Sequence, residues 1–380
     1  MSTSQKLQRT FLYGFVATGF MLSPALAQTA STATVTSLVT TSTTATSTNQ
    51  TVSGAGTGTY PSATNYDIIY LGETTSITSF TTGTGVSAVT YNPLNYVGSI
   101  TTSLVRLSGN STTNPGGANQ NNNLVYHRMT VNSGISRTVV GPYNPSQESL
   151  FNSNNLNAGT DNLFGNQGDG SGNNNNVERL DVVFSNGLVA TDSLAFLVLE
   201  RGGVTAHDGF GISAILSVDG LGNPTAFGSV ILFGSGSYGT TALVPDTTDW
   251  LILRNLAAAP NGDASHPSAD SSNQPIGGTT VAVTASTANR GLGITAATTI
   301  YGYSLFGFDV TATTSAELLD VANNILFPKN TPSNTGAGGI DLIAYTGIAV
   351  NAVPEPGTVG LLGMAAFVGM LLRSRKRSRR

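Results

Sequence analysis

Cysteine is absent from the 380 residues, which removes disulfides, thiolate metal sites, CxxC redox chemistry and a cysteine nucleophile together. Charge is scarce as well: Asp, Glu, Lys and Arg make up 9 % of the chain, against about 25 % in an average soluble protein. There are three histidines, His127, His207 and His266, and one tryptophan, Trp250. No H-x-x-x-H or H-E-x-x-H spacing joins the histidines, so none of them heads a zinc motif. Clustered cations are missing too. Between residues 28 and 353 only Arg106, Arg128, Arg137, Arg179, Arg201, Arg254, Arg290 and Lys329 are basic, against 19 acids. An acidic body with scattered cations has no footprint for phosphates, which disfavours nucleic acid as a partner. No fixed repeat of roughly 20 to 50 residues is evident, which disfavours a solenoid or propeller.

What the chain does have is 39 % apolar residues, 45 glycines and a period of two. The apolar fraction is too high for a disordered polyelectrolyte and suffices to bury a core. Phe210, Ile212, Ala214, Leu216 and Val218 alternate with smaller residues, as one face of a half-buried strand does. Asp219-Gly220 to Asn223-Pro224 then supplies turn chemistry, and the run 226–233 resumes as a hairpin partner. Similar strands are expected at 67–71, 96–107, 123–131, 178–184, 194–200, 250–254, 279–284, 299–310 and 340–345. One helix is expected before the tail, at 315–327, where Thr314 and Glu317 have capping-box spacing and Pro328 ends it. Many short strands, frequent Gly turns and one short helix predict an all-β fold, an antiparallel β-sandwich or jelly-roll-like domain, over residues 67–350.

Three long loops interrupt the strands: 110–123, 152–176 and 257–278. Their Asn, Gly and Pro suit turns and leave little to bury. Residues 28–66 form an uncharged spacer in which Thr and Ser fill 18 of the 31 positions from 29 to 59. A β-branched Thr run of this kind can also add an edge strand.

Candidate chemistry is thin. Gly234-Ser235-Gly236-Ser237-Tyr238-Gly239 matches GxGxxG, but the following Thr240-Thr241-Ala242-Leu243-Val244-Pro245 cannot open the helix that would hold a pyrophosphate, so a Gly-rich hairpin turn is the expectation. Asp169-x-Ser171-x-Asn173-x-Asn175 resembles a calcium loop in spacing but has one acid before Glu178, Asn174 at the glycine position and Leu180 at the twelfth. A site there would need Asp161 and Asp181 brought in by the fold. The Gly-x-Ser-x-Gly elbow is absent, and the acids nominate no glycosidase pair. Trp250 and the alternating Tyr301, Tyr303, Phe306 and Phe308 read as core. No catalytic, metal or cofactor residue is nominated, and no enzyme activity is expected.

The two ends are more specific. Lys6 and Arg9 precede the apolar run 11–22, then Pro24 and Ala25-Leu26-Ala27, which is a secretory signal peptide over 1–27, cut by signal peptidase after Ala27. At the other end Val353-Pro354-Glu355-Pro356-Gly357 leads into the uncharged run 359–372 and then six basic residues from Arg373 to Arg380. Fourteen residues make roughly 21 Å of helix, short of a roughly 30 Å hydrocarbon core, so this segment anchors only marginally and transiently. The basic end would stay cytoplasmic, leaving the Pro-Glu-Pro site outside.

Residues 353–380 closely resemble the PEP-CTERM sorting signal of Gram-negative bacteria, through Pro354, Glu355 and Pro356. The resemblance implies an exosortase-type enzyme that removes the tail during export to the cell surface or extracellular matrix. It implies a route and no activity. The expected role is structural or adhesive, in contact with extracellular polysaccharide and biofilm. The alternative is a secreted polysaccharide-binding module or polysaccharide-active enzyme on the same kind of sandwich, which would need clustered acids or exposed rings beside a cleft.

Overall fold

The computed structural model describes residues 29–44, 51–52, 73–106, 125–128, 137–138, 151, 154–160, 163–164, 177–202, 208–240, 242–243, 250–253, 268–270, 275–328, 340–345 and 348–351. Sheet dominates among them, and the named strands pair antiparallel, as the alternating runs and short turns predict. The first sheet has the order β1 (Val35–Thr44), β3 (Glu73–Thr82), β4 (Val89–Pro93), β19 (Ile348–Asn351), β10 (Leu194–Arg201), β16 (Ile276–Ala282). The second has the order β12 (Pro224–Phe227), β11 (Phe210–Val218), β17 (Thr299–Gly307), β9 (Val177–Val189), β5 (Ile100–Arg106), with β13 (Ile231–Phe233) also on β11. A third runs β15 (Ser268–Asp270), β14 (Trp250–Leu253), β6 (Val125–Arg128), β8 (Asn155–Thr160), β18 (Ile343–Ala344), and β2 (Thr51–Val52) pairs β7 (Arg137–Thr138).

The first sheet closes on itself. Thr34 bridges Thr279, and the Thr280 amide donates to the Ala33 carbonyl at 3.0 Å, so the start of β1 meets β16 from the far side of the sheet. Alternate residues then point inward: Val35, Ile77, Phe80, Tyr91, Leu197, Leu199 and Ala282 belong to one buried cluster, with Phe80 and Tyr91 stacked at 4.9 Å. The other face of β10 carries Leu194, Phe196 and Val198 into a second core shared with Leu180, Val182, Phe210, Ile212 and Tyr303 of the second sheet. All eight residues of β10 are therefore buried, which is why its sequence is a continuous apolar run rather than an alternation.

Strand β11 has the bounds that its alternation predicts, and Phe210, Ile212, Ala214 and Leu216 meet the inter-sheet core. Val218 does not share that face. A bulge between Ile215 and Ser217, opposite Phe227 and Ala226, slips the phase by one, and Val218 packs on the cluster of Ile215, Phe227 and Phe306 instead. The reverse face is buried too, because the segment 310–327 lies over it and places Val310, Ala312, Leu318 and Phe327 on the sheet. Gly302 makes a second irregularity possible: at φ +139° beside a bulge in β17, an added Cβ would lie 1.9 Å from the Val182 carbonyl oxygen.

The expected helix is present but short, α1 (Ser315–Leu319). Thr314 Oγ1 accepts from the Glu317 amide, and the Glu317 carboxylate accepts from the Thr313 and Thr314 amides, which completes the capping box. The helical spacing runs on to Phe327, but the chain leaves helix at Asp320, the C-cap with ψ 61°, and Asn323 then holds a turn in which its side chain accepts from the Ile325 amide and its carbonyl from Leu326 and Phe327. Ile325 is left exposed, and Leu318 alone of the helix is buried. The turn after β11 is built as its residues suggest, with Asp219 accepting from the amides of Leu221 and Asn223.

Two outcomes follow. Gly302→Ala should lose about 3 kcal/mol or more in denaturant unfolding, from positive φ and backbone overlap together. Stability should also fall at both pH extremes. Burial raises Tyr91, Tyr238, Tyr303 and Tyr345 above the ordinary tyrosine value of 10.0, so the unfolded chain loses protons first and stability drops as pH climbs past about 10. Hydrogen bonds from Thr313 and Thr314 hold Glu317 down at about 2, so its contribution is lost as pH falls from about 5 towards 2. Urea midpoints measured across pH check both limbs.

Candidate functional site

Buried polar side chains are where a fold could hide chemistry, and among the described residues four of them form two buried ion pairs. Arg179 and Asp181 stand two apart on β9, hence on one face. The guanidinium donates to both carboxylate oxygens at 2.7 and 3.0 Å, donates to the Leu318 carbonyl at 2.8 Å and lies 4.9 Å from the centre of the Phe227 ring. Ser304 Oγ donates to the same carboxylate at 2.5 Å. Asp181 is thus committed to structure and buried, so it is not a spare ligand for the loop before it, and Glu178 is buried as well. Asp161 and 169–175 lie outside the described residues. An Arg-x-Asp in the run 177–184, whose other residues are apolar except Glu178, is the sequence signal that could have found this pair. Arg201 donates to Asp341 at 2.7 Å in a second buried pair, between residues too far apart in sequence to be matched by reading.

The GxGxxG segment is a 3-10 turn, Ser235–Tyr238, following β13 rather than a two-strand hairpin loop. Its Tyr238 drives into the inter-sheet core, where burial, with the negative charges of Glu200 and Asp208 behind it, pushes the phenol well above its ordinary value. A phenol held neutral in this way is neither base nor nucleophile. Glu200 is buried too, out of reach of a polymer. Tyr303 and Phe306 are core residues on opposite faces of β17. The backbone of Trp250 opens β14 opposite Arg128 and Asp270, and His127 lies in β6; His207 and His266 are outside the described residues. Among the described residues a void of about 10 Å³ between the sheets, lined by Phe151, Leu197, Tyr303 and Leu342, has room for about one water and none for a sugar. No group of three His, Asp or Glu among the described residues is arranged to hold a metal ion.

The ends of the body are more informative. β19 is an inner strand: Leu194 to Phe196 of β10 pair with it on one side and Tyr91 to Pro93 of β4 on the other. Its last residue, Asn351, stands three positions before Pro354. At the other end Ala30 is already buried, and the chain up to Thr34 is stitched in place. The Ala30 amide donates to the Asp192 carbonyl at 2.6 Å, Ser31 bonds with the Tyr91 hydroxyl, and Thr34 Oγ1 donates to the Ser237 carbonyl at 3.0 Å. Half of the Thr/Ser-rich segment is therefore the lead-in and strand β1. The site residues Ala25, Ala27, Pro354, Glu355 and Pro356 lie outside the described residues. Among the described residues no helix is long and apolar enough to cross a membrane.

Residues 352–376 match the family model of the PEP-CTERM protein-sorting motif. No curated protein and no solved structure matches the chain. The matched segment begins one residue after β19 ends and takes in Pro354, Glu355, Pro356 and the apolar run. It marks the chain as an exosortase-targeted protein exported to the bacterial cell surface.

Replacing Pro354-Glu355-Pro356 by alanines should abolish tail removal. Mass spectrometry of surface-released wild-type protein should find Gln28 at the N-terminus and nothing from about Val359 onward; a peptide running through Leu372 would show that the tail is a permanent anchor.

Proposed function

We propose that this is a non-enzymatic structural or adhesive protein of the cell surface or extracellular matrix of a Gram-negative bacterium, made with a signal peptide and held transiently in the inner membrane by residues 359–372. The observation that carries the reading is where the charge goes. Glu178, Arg179, Asp181, Glu200, Arg201 and Asp341 are buried. The outer wall at β1, β3 and β4 presents neutral hydroxyls, with Ser37, Thr40, Thr78 and Thr90 exposed. Thr81 and Thr90 meet across two strands at 3.3 Å. Such a surface offers many neutral donors and acceptors to a hydrated polysaccharide.

Neutral hydrogen bonding is little screened by salt, so binding of the mature protein to matrix polysaccharide should persist from low ionic strength to about 1 M. A panel of glycans scored for both retention and cleavage checks this. Retention without cleavage supports the adhesive role, and cleavage of any glycan makes the protein an enzyme. Absence of binding, with biofilm unchanged in a deletion strain, removes adhesion.

A further inference from the structure

The first and last described segments of the body, at Ala30 and Asn351, lie at the same end of the first sheet. β19 runs antiparallel to β10, so Asn351 lies just past the register pair of Val350 with Leu194, at the end where β10 begins. The lead-in is fixed there as well, since Ala30 bonds to Asp192, two residues before Leu194. Tyr91 joins the two: its backbone is the register partner of Asn351, and its hydroxyl accepts from the Ser31 amide at 2.9 Å and donates to the Ser31 carbonyl at 3.3 Å.

The connections to the signals are short. Ala30 stands three positions after Ala27 and Pro354 three positions after Asn351, about 11 Å each at full extension, and the apolar runs end or begin eight positions away, at Leu22 and Val359, about 27 Å. The walls of the sheet are of similar height, since β10 has 8 residues and β1 has 10, about 26 to 33 Å at strand rise. Had the chain left at opposite ends, at least one connection would be stretched along the whole wall to bring its apolar run to the same membrane. Leaving at one end, neither is. β19 is moreover an inner strand, so the sheet is complete only once residues up to 351 are across the membrane.

Resting on the reading of both ends as export signals, we infer that the end of the closed sheet bearing Ala30 and Asn351 faces the membrane during export, and that the body completes its fold while both signals still hold it. Exosortase then acts on a folded substrate whose nearest surface is the turn around Thr191 and Ser193. The opposite end, where β1 finishes, points away from the membrane.

The lack of cysteine makes the orientation directly measurable. Single reporters are introduced by Thr191→Cys at the near end and Thr41→Cys at the far end, both exposed positions. They are placed in the full chain carrying Ala25→Trp and Ala27→Trp, which block signal peptidase, and the protein is made in cells without exosortase. A fluorophore at position 191 should be quenched by headgroup-labelled lipid several-fold more than one at 41; equal or reversed quenching overturns the orientation. Proteinase K should give the same set of resistant fragments from this doubly held form as from the mature protein. A body that becomes resistant only after release from one signal overturns folding before sorting. The same chain without the four substitutions, expressed with exosortase, separates the two failures: retention of residues 1–27 or of the tail there overturns the export reading itself.

Discussion

The junction of Ala33 and Thr34 with Thr279 and Thr280 is the contact on which the rest of the body depends. A six-stranded sheet with two free edges would expose β16 on one side and β1 on the other, each a template for unwanted pairing. Joining them at the start of β1 brings the two edges together there and gives the inward side chains an interior. Thr280 works on both counts, since its amide pairs with Ala33 while its hydroxyl donates to the carbonyls of Ser31 and Ala33. Once the sheet is closed, β10 has a core on each side of it, and the second sheet has a wall to pack against.

Placement of the few charges follows from this layering. Arg179 and Asp181 sit on the face of β9 away from the inter-sheet core, and they become buried because residues 310–327 lie across that face. The pair is tied to this cover through the Leu318 carbonyl and to β17 through Ser304. Charge buried in this way is costly unless paired, and its gain is in fixing which segment lies where.

The ends of the body connect structure to sorting. A PEP-CTERM segment beginning one residue after an inner strand means that a cut near Pro354 leaves every strand pairing among the described residues intact. The sorting motif and the last described strand are adjacent in sequence.

Local features were legible in the residues alone. The capping box of Thr314 and Glu317, the Asp219 turn, the bounds of β11 and the all-β class each rest on neighbours a few positions apart, and the sorting segment is a linear motif. Tertiary structure decided whatever required distant parts to meet. Closure joins residues about 247 apart, so the Thr/Ser run could be read as a spacer or as a strand until β16 was there to pair with it. The bulge that turns Val218 to the other face, the early end of α1 and the burial of Arg179 with Asp181 depend on what packs against each element. Sequence periodicity shows that a face is apolar; only the assembled layers determine which surface covers it, and whether the polar face behind it meets water or another part of the chain.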